Sequence, residues 1–358
     1  RAVRRGGAAG AAMAVGRAGW ARSQPCALAL AAALAVCAFY YLGGGGETFS
    51  TATRRLRATP ASPARRGRAL HLLVLFTKAE RGPSLRDKAR AALRSLLRHG
   101  RLGRGDALRL HLVTDRNSRD IAEGLLRDEL GRAAFPHQII THDVNELTEK
   151  LFPIVEAMQK HFSAGTGTYY SDSIFFLSVA MHRIMPPEIT QIIQVDLDLK
   201  YKANIRDLFE EFDSFKEGAV IGIAREMQPV YSTAAENPKT RVGEPPPDGL
   251  PGFNSGVLLL NLEAMRRSKL YNQLLEPAMV QKLTEKYRFK GHLGDQDFFT
   301  MVGMEHPELF HVLDCTWNRQ LCTWWKDHGY SDVFDQYFRC DGEVKIYHGN
   351  CNTPIPED

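Results

Sequence analysis

Cysteine is absent between Cys37 and Cys315 of this 358-residue chain, and the sequence contains no C-x-x-C pair. That absence argues against a zinc site built from paired cysteines. The chain also lacks an N-x-S/T sequon, so N-glycosylation is not expected. Acidic residues are nearly missing from the first 68 positions, which hold 11 basic residues and a single acid, Glu47. The rest of the chain has 35 basic and 40 acidic residues, so the net charge of +5 gives no reason to expect nucleic-acid binding.

The first 68 residues resemble a targeting segment rather than part of a folded domain. Residues 26–42, CALALAAALAVCAFYYL, carry no charged side chain. As a helix they would span roughly 25 Å, near the lower limit for a bilayer core. Basic residues precede this run, so the positive-inside rule predicts a cytosolic tail (1–25), a transmembrane signal-anchor (26–42), a flexible stem (43–68) and a lumenal domain (69–358). A cleaved signal peptide is the alternative.

Four cysteines crowd into the C-terminal region, which indicates two disulfides in an oxidising compartment. Their spacing does not choose among the three connectivities. The four residues are Cys315, Cys322, Cys340 and Cys351.

Apolar runs alternate with amphipathic segments through the lumenal region, which predicts an α/β fold with a mostly parallel sheet covered by helices on both faces. Strands are predicted at 69–78, 107–115, 137–144, 191–195 and 219–226, in the segment that begins at Gly252, and within 308–318. Helices are predicted at 84–100, 118–131, 146–162, 171–186, 204–212 and 294–303. Residues 227–252 are proline-rich and predict a long loop, a feature typical of lids or disordered segments.

Two carboxylates end the strand QIIQV, at Asp196 and Asp198. Like charges this close repel unless a cation or a shared proton lies between them. Ligands of such sheets collect beyond the carboxyl ends of the strands, so a hard divalent cation shared with phosphates is the favoured explanation. Haloacid-dehalogenase-type phosphatases also end a strand in D-x-D, but they place it on the first strand and lack a lysine where Lys200 stands.

Four motifs together resemble glycosyltransferase family 8, whose members are retaining enzymes with a GT-A fold. The motifs are the D-L-D at 196–198, FNSGVLLLNL at 253–262, D-Q-D at 295–297 and YHGNCNTP at 347–354. Each motif alone is weak, but they occur in the family's order over roughly residues 70–350.

By this resemblance, Asp196, Asp198 and His348 would hold Mn²⁺, with Mg²⁺ as the alternative, and the ion would bridge the diphosphate of a UDP-sugar. A histidine nitrogen among oxygen ligands favours Mn²⁺. The nucleotide would contact the end of the first strand and the D-L-D itself, through Leu75, Phe76, Thr77, Lys78, Asp196 and Leu197.

The resemblance also places a group of residues at the donor sugar: Asn254, Ser255, Gly256, Leu293, Asp295 and Gln296. Gln296 and Asp295 would be the catalytic pair. A neutral amide is a poor nucleophile, so Gln296 favours a same-face, SNi-like route in which the acceptor attacks as UDP leaves. Trp324, Trp325 and Asn350 are candidates for acceptor binding, although packing beside Cys322 is the preferred interpretation of the two tryptophans.

The chain departs from the family pattern at the diphosphate. The family continues its histidine motif as H-x-x-G-x-x-K-P-W, whereas glycine directly follows His348 here and the lysine is missing. Neutralisation of the negative charge on the donor phosphates therefore depends on the metal, on Lys78 or on another basic residue. Arg183 lies near the position of the family arginine but out of register.

Within the family, the anchor, the D-L-D and the cysteine-bearing tail are most similar to animal enzymes of the endoplasmic reticulum membrane, with the Golgi as the alternative location. Those enzymes transfer xylose from UDP-xylose, in α1,3 linkage, to a xylose-α1,3-glucose disaccharide on EGF-like repeats such as those of Notch. UDP-xylose is therefore expected as the donor from this resemblance alone, since nothing in the composition or spacing of the sequence indicates xylose. Another UDP-sugar (glucose, galactose or glucuronate) or an inactive lectin-like module are the alternatives, and a homodimer is compatible with the sequence.

Overall fold

The computed structural model describes residues 67–163, 173–232, 250–289 and 291–357. Among these residues no helix is both long and apolar enough to cross a membrane. The predicted tail and anchor, and nearly all of the stem, lie outside the described residues and stay predictions. So does most of the predicted loop at 227–252.

The strands alternate with helices along the chain, as predicted. In chain order they are β1 (Ala69–Phe76), β2 (Ala107–Thr114), β3 (His137–Asp143), β4 (Ile192–Val195), β5 (Leu199–Tyr201), β6 (Ile221–Arg225), β7 (Phe253–Leu260), β8 (Phe310–Leu313), β9 (Arg319–Gln320) and β10 (Ile346–His348).

Seven of these strands form the central sheet, in the order β3-β2-β1-β4-β7-β6-β8. Pairing is parallel from β3 to β4 and between β6 and β8. Strand β7 runs antiparallel to both β4 and β6. Its first residues therefore lie at the same edge of the sheet as the last residues of β4, which positions the candidate site.

Helices cover both faces of the sheet. In chain order they are α1 (Pro83–His99), α2 (Arg119–Leu130), α3 (Val144–Leu151), α4 (Ile154–Phe162), α5 (Met181–Ile184), α6 (Ile205–Glu210), α7 (Leu262–Arg267), α8 (Lys269–Leu274), α9 (Pro277–Tyr287), α10 (Asp295–Glu305) and α11 (Ser331–Tyr337).

The core divides into two apolar clusters, one on each face of the sheet. Successive side chains of a strand point to opposite faces, so Leu72 joins one cluster while Leu73 joins the other. Helix α1 buries Ala89, Leu93 and Leu96, whose three- and four-residue spacing places them on one helix face. This layered packing is the predicted α/β arrangement.

Two helix predictions are wrong. The segment predicted as one helix at 146–162 is two helices, α3 and α4, because Pro153 cannot donate a backbone hydrogen bond within a continuous helix. The segment predicted as a helix at 171–186 contains 3₁₀ turns at Ser173–Phe176 and Ser178–Ala180 before the four-residue α5. Most of the apolar side chains from Ile174 to Met185 are buried, but the hydrophobic run alone did not distinguish the two kinds of helix.

The C-terminal region adds a second, three-stranded sheet in the order β5-β10-β9. Strand β10 is antiparallel to β5, which follows the D-L-D directly. Two disulfides join this region, Cys315–Cys340 and Cys322–Cys351. The predicted pair of disulfides is therefore present, and the structure supplies the connectivity. Together these links bring the C-terminal tail back to the edge of the main sheet.

Candidate active site

Three strand ends meet where the sheet carries its polar residues. The Asp196 backbone N–H donates to the Gly256 carbonyl at 3.0 Å, which ties the end of β4 to the start of β7. The Gly349 N–H donates to the Asp198 carbonyl at 2.8 Å, and His348 pairs with Leu199. The backbone ladders therefore fix where these side chains lie.

Asp196, Asp198 and His348 form one cluster, in which each residue offers a ligand atom within 4.8 Å of the others. His348 Nε2 lies 3.5 Å from Asp196 Oδ2 and 3.4 Å from Asp198 Oδ1. Burial lowers the pKa of His348, but the two carboxylates more than offset this and raise it to about 10. The cluster brings together the three predicted metal ligands.

The chemistry of this donor set fits a divalent cation. Two carboxylates and one imidazole suit Mn²⁺ better than Mg²⁺, which prefers oxygen ligands. His348 Nδ1 is 2.9 Å from Asn318 Oδ1, an acceptor that leaves Nε2 to face the carboxylates. The imidazole lies on the backbone of Gly256, where an added Cβ would sit 2.6 Å from Nδ1. Gly256 was predicted at the donor sugar, and that role stays a prediction; in the structure it makes room for His348.

A lysine that the sequence did not single out lies beside this cluster. Lys88 of α1 places its Nζ 3.6 Å from Asp198 Oδ2, and it donates to Asn352 Oδ1 at 2.8 Å. Burial raises the pKa of Asp198, while His348 and Lys88 outweigh that effect and lower it. Arg183, in contrast, is exposed and donates to Asn272.

The D-Q-D occupies the first turn of α10, directly after Gly294, whose φ is 71°. Asp295 is buried and accepts hydrogen bonds from the hydroxyls of Ser178 and Ser255. Burial raises the pKa of Asp295 to about 7 despite these bonds. Burial likewise raises the pKa of Asp297 to about 7.

The Gln296 amide is held on both sides. Its Oε1 accepts from the Ser255 backbone N–H at 3.3 Å. Its Nε2 donates to Glu226 Oε2 at 3.0 Å and to the Tyr231 hydroxyl at 3.2 Å. Glu226 also accepts from Asn254 Nδ2 at 3.0 Å. Asn254, Ser255, Asp295 and Gln296 thus converge, as the motifs predicted, while their contact with a sugar stays a prediction.

The predicted nucleotide contacts divide into two groups. Thr77 and Lys78 line a cleft of about 690 Å³ beyond the ends of β1 and β2, with Asp115 and Asn145 on its other walls. Phe76 is buried in the core, and Leu75 packs against the opposite cluster. Leu197, the middle residue of the D-L-D, is half-buried.

Leu293, predicted at the donor sugar, donates its backbone N–H to Asp297 at 2.5 Å.

The acceptor candidates lie at the surface near the tail. Trp324 is 51% exposed and stacks on His328 with ring centroids 3.6 Å apart. Trp325 meets Trp324 edge to face at 5.2 Å. Trp324 thus packs on His328 with about half of its surface exposed, and both interpretations of the two tryptophans, packing and acceptor binding, stay predictions. Asn350 accepts from the backbone N–H groups of Leu321 and Cys322.

The site includes residues that sequence reasoning missed: Lys88, Ser178, Glu226, Tyr231 and Asn318. Glu226 directly follows β6, so the same strand-end rule that selected Asp196 applies to it. Strand β6 has a register shift at Ile223/Ala224, typical of strands beside functional sites. For Lys88 and Asn318 the sequence carries no comparable signal.

Comparisons with known proteins identify the family and the fold. The model of the family described as Glycosyl transferase family 8 matches residues 133–336. The chain is 65% identical over 383 residues to xyloside xylosyltransferase 1 of Homo sapiens, covering 97% of this chain and 98% of that protein. The crystal structure of mouse xyloside xylosyltransferase 1, apo form, matches with a TM-score of 0.77 and 70% identity, over 81% of this chain and 100% of the mouse chain.

A more distant solved structure shares the fold alone. The WbbM bifunctional glycosyltransferase matches with a TM-score of 0.54 at 12% identity, over 79% of this chain and 46% of that one. With the mostly parallel central sheet, these matches show the α/β GT-A fold that the motifs predicted.

Proposed function

Since the chain belongs to glycosyl transferase family 8, we propose that it transfers xylose from UDP-xylose, with retention of configuration, to the xylose of an O-linked xylose-α1,3-glucose disaccharide on EGF-like repeats such as those of Notch. The observation that carries the proposal is the convergence of Asp196, Asp198 and His348 beside Gln296 and Asp295. The names of the 65% and 70% identical relatives support xylose as the transferred sugar.

The cluster of Asp196, Asp198 and His348 would hold Mn²⁺. A bound divalent cation supplies positive charge that offsets the negative charge on the departing diphosphate. Lys88 lies 3.6 Å from Asp198. We assign to it the positive charge on the donor phosphates that the missing family lysine would have provided. Asn352 Oδ1 accepts a hydrogen bond from Lys88 and holds it at the cluster.

In the proposed reaction the acceptor hydroxyl oxygen forms a bond to the anomeric carbon on the face from which the diphosphate leaves. The carbon–oxygen bond to phosphate breaks, and the departing phosphate oxygen takes the acceptor proton. Gln296 presents its carbonyl oxygen to stabilise positive charge on the sugar. Asp295, held by Ser178 and Ser255, would accept hydrogen bonds from the donor hydroxyls.

We place the enzyme in the membrane of the endoplasmic reticulum, with its catalytic domain in the lumen. The two disulfides support an oxidising compartment. Trp324 is exposed and Trp325 is half-buried, and both follow Cys322, which is bonded to Cys351 near His348. We assign the two tryptophans to acceptor binding.

The test is a donor panel on the purified lumenal domain: UDP-xylose, UDP-glucose, UDP-galactose and UDP-glucuronate, each with Mn²⁺, Mg²⁺ or EDTA, and with the disaccharide on a folded EGF repeat as acceptor. UDP-xylose with Mn²⁺ should give the highest turnover, and NMR of the product should show an α linkage. A higher rate with another donor would replace the assigned sugar, and a β linkage would overturn retention. Sugar binding without turnover of any donor would identify an inactive lectin-like module.

A further inference from the structure

A continuous chain of hydrogen bonds connects the candidate metal ligand to the candidate catalytic amide through the interior. We call the five side chains His348, Asn318, Asn254, Glu226 and Gln296 the amide chain. Each is no more than 7% exposed. His348 Nδ1 faces Asn318 Oδ1 at 2.9 Å, and Asn318 Nδ2 donates to Asn254 Oδ1 at 2.9 Å. Asn254 Nδ2 and Gln296 Nε2 both donate to Glu226 Oε2, each at 3.0 Å.

Backbone groups favour the same orientation of the two asparagines as Glu226 does. The Gly256 N–H donates to Asn254 Oδ1 at 3.1 Å, an arrangement that leaves the amide nitrogen of Asn254 for Glu226. Asn318 Nδ2 also lies 3.4 Å from the Asn254 backbone carbonyl, which can only accept. The oxygen of Asn318 therefore faces His348.

Every donor in the amide chain points toward Glu226, which accepts three hydrogen bonds. Besides the two amides, the Gln228 backbone N–H donates to Glu226 Oε1 at 2.9 Å. A carboxylate has no proton to donate, so it is the group that both amides must approach with their nitrogens. Burial raises the pKa of Glu226, and the bonds from Asn254 and Gln228 oppose that rise.

We propose that Glu226 is a positioning residue that sets both ends of this chain. At one end it keeps the Gln296 carbonyl oxygen turned away from itself, toward Ser255 and the donor site. At the other end, through Asn254 and Asn318, it keeps the proton of His348 on Nδ1 and leaves Nε2 free to bind the cation. This inference rests on the proposed function for the role of Gln296, but its metal-binding consequence does not depend on which sugar is transferred.

Glu226→Gln tests the proposal because it replaces the acceptor by an isosteric amide that carries its own donor. We expect kcat to fall by about 100-fold while KM for UDP-xylose stays within about threefold. Through Asn254, Asn318 and His348, the same change should weaken Mn²⁺ affinity by about tenfold. That affinity is measured by titrating the protein with Mn²⁺, without UDP-xylose, and following free Mn²⁺ by electron paramagnetic resonance.

Glu129→Gln is the matched control. Glu129 is as buried as Glu226, but it pairs with Arg94 and Arg90 on α1. That variant should change thermal stability without changing kcat or Mn²⁺ affinity. Equal losses in the two variants, or a Glu226→Gln enzyme within about twofold of wild type in both readouts, would overturn the proposal.

A double-mutant cycle separates positioning from a general structural effect. In a Gln296→Ala background, Glu226→Gln should lower kcat by less than about twofold further, because the amide it orients is gone. Independent, multiplying losses would contradict the positioning role. If the wild-type protein transferred no sugar, the proposed function would fail while the Mn²⁺ titration would still decide whether Glu226 acts on His348.

Should Glu226→Gln not fold, Asn318→Asp examines the same chain from its other end. Aspartate still accepts from His348 Nδ1 but cannot donate to Asn254, so Asn254 would have to turn away from Glu226. We expect Mn²⁺ affinity to be kept and kcat to fall by at least about tenfold. An unchanged kcat would count against coupling through the chain.

Discussion

Two chains of hydrogen-bonded side chains cross this domain, one buried and one partly buried, and they differ in how their direction is set. The amide chain ends in a carboxylate, so each of its donors has one orientation. The second chain, which we call the histidine chain, consists of His71, His111 and His142 on β1, β2 and β3. His71 Nδ1 lies 2.9 Å from His111 Nε2, and His111 Nδ1 lies 2.9 Å from His142 Nε2.

No carboxylate among the described residues accepts a hydrogen bond from the histidine chain. A neutral imidazole can donate from either nitrogen, so the three rings satisfy one another with the protons arranged in either direction. Two basic neighbours help to keep the outer rings neutral, because Arg109 lowers the pKa of His71 and Lys150 lowers the pKa of His142. The comparison teaches that short distances are enough to join a chain of side chains, whereas an obligate acceptor gives the chain a single orientation.

The largest effect is expected where the amide chain meets the metal cluster. Asp198→Asn removes a charge that the cation needs, so metal-dependent turnover should fall by at least about 1,000-fold. The measurement is the initial rate of donor hydrolysis at saturating Mn²⁺. Asp213→Asn, at an exposed position after α6, should leave that rate unchanged. Normal turnover in Asp198→Asn would remove the metal assignment altogether.

A smaller loss should follow if the histidine is displaced while every ligand is kept. A methyl group at position 256 would overlap the His348 ring, so Gly256→Ala should weaken Mn²⁺ binding by about 10- to 100-fold. The readout is the Mn²⁺ titration together with the rate at raised metal concentration, which should recover part of the activity. Gly124→Ala is the control, because nothing lies within 4 Å of the Cβ it would add. Equal behaviour of the two variants would show that contact with Gly256 does not position the ring.

The smallest expected effect belongs to the histidine chain and concerns stability. Burial and the neighbouring histidines lower the pKa of His111 to about 3, below its unfolded value of 6.5. The unfolded chain therefore binds more protons than the folded one below pH 6.5, and stability falls as the pH falls through that range. For His111 alone the loss is about 2 kcal/mol between pH 7 and pH 5.

The measurement is the urea midpoint of residues 69–358 at a series of pH values. Burial also lowers the pKa values of His71 and His142, so both add to the slope in the same direction. His111→Leu should flatten the pH dependence whatever its effect on stability at pH 7. A slope that stays unchanged in this variant would show that other groups dominate acid unfolding.

Much of the site could be predicted because strand ends and side-chain chemistry are local properties of the sequence. Asp196 and Asp198 follow a run of apolar residues, and the D-Q-D and N-S-G motifs are contiguous. Glu226, Asn318 and Lys88 come from separate segments, and their importance depends on partners 28 to 264 positions away. Single residues of these types are common, so their roles became visible only in three dimensions.

The fold, like the site, was predicted where the sequence signal is local and missed where it is not. Alternating apolar runs predicted the main strands and the helices α1, α2 and α10 within a few residues, whereas α8 and α9 were not predicted. The reversed direction of β7 was not predicted, because an antiparallel strand fully buried within the sheet has the same apolar pattern as a parallel one. The short strands β5, β9 and β10 were also missed, since two or three residues carry too little periodicity to be recognised.

The return of the tail to the sheet has a consequence for how the candidate metal site is assembled. Asp198 and His348 lie far apart in the sequence, and the Cys322–Cys351 disulfide anchors the segment that carries His348. Neither of these cysteines belongs to a strand of the main sheet. A thiol reductant should therefore loosen the histidine while the sheet stays in place.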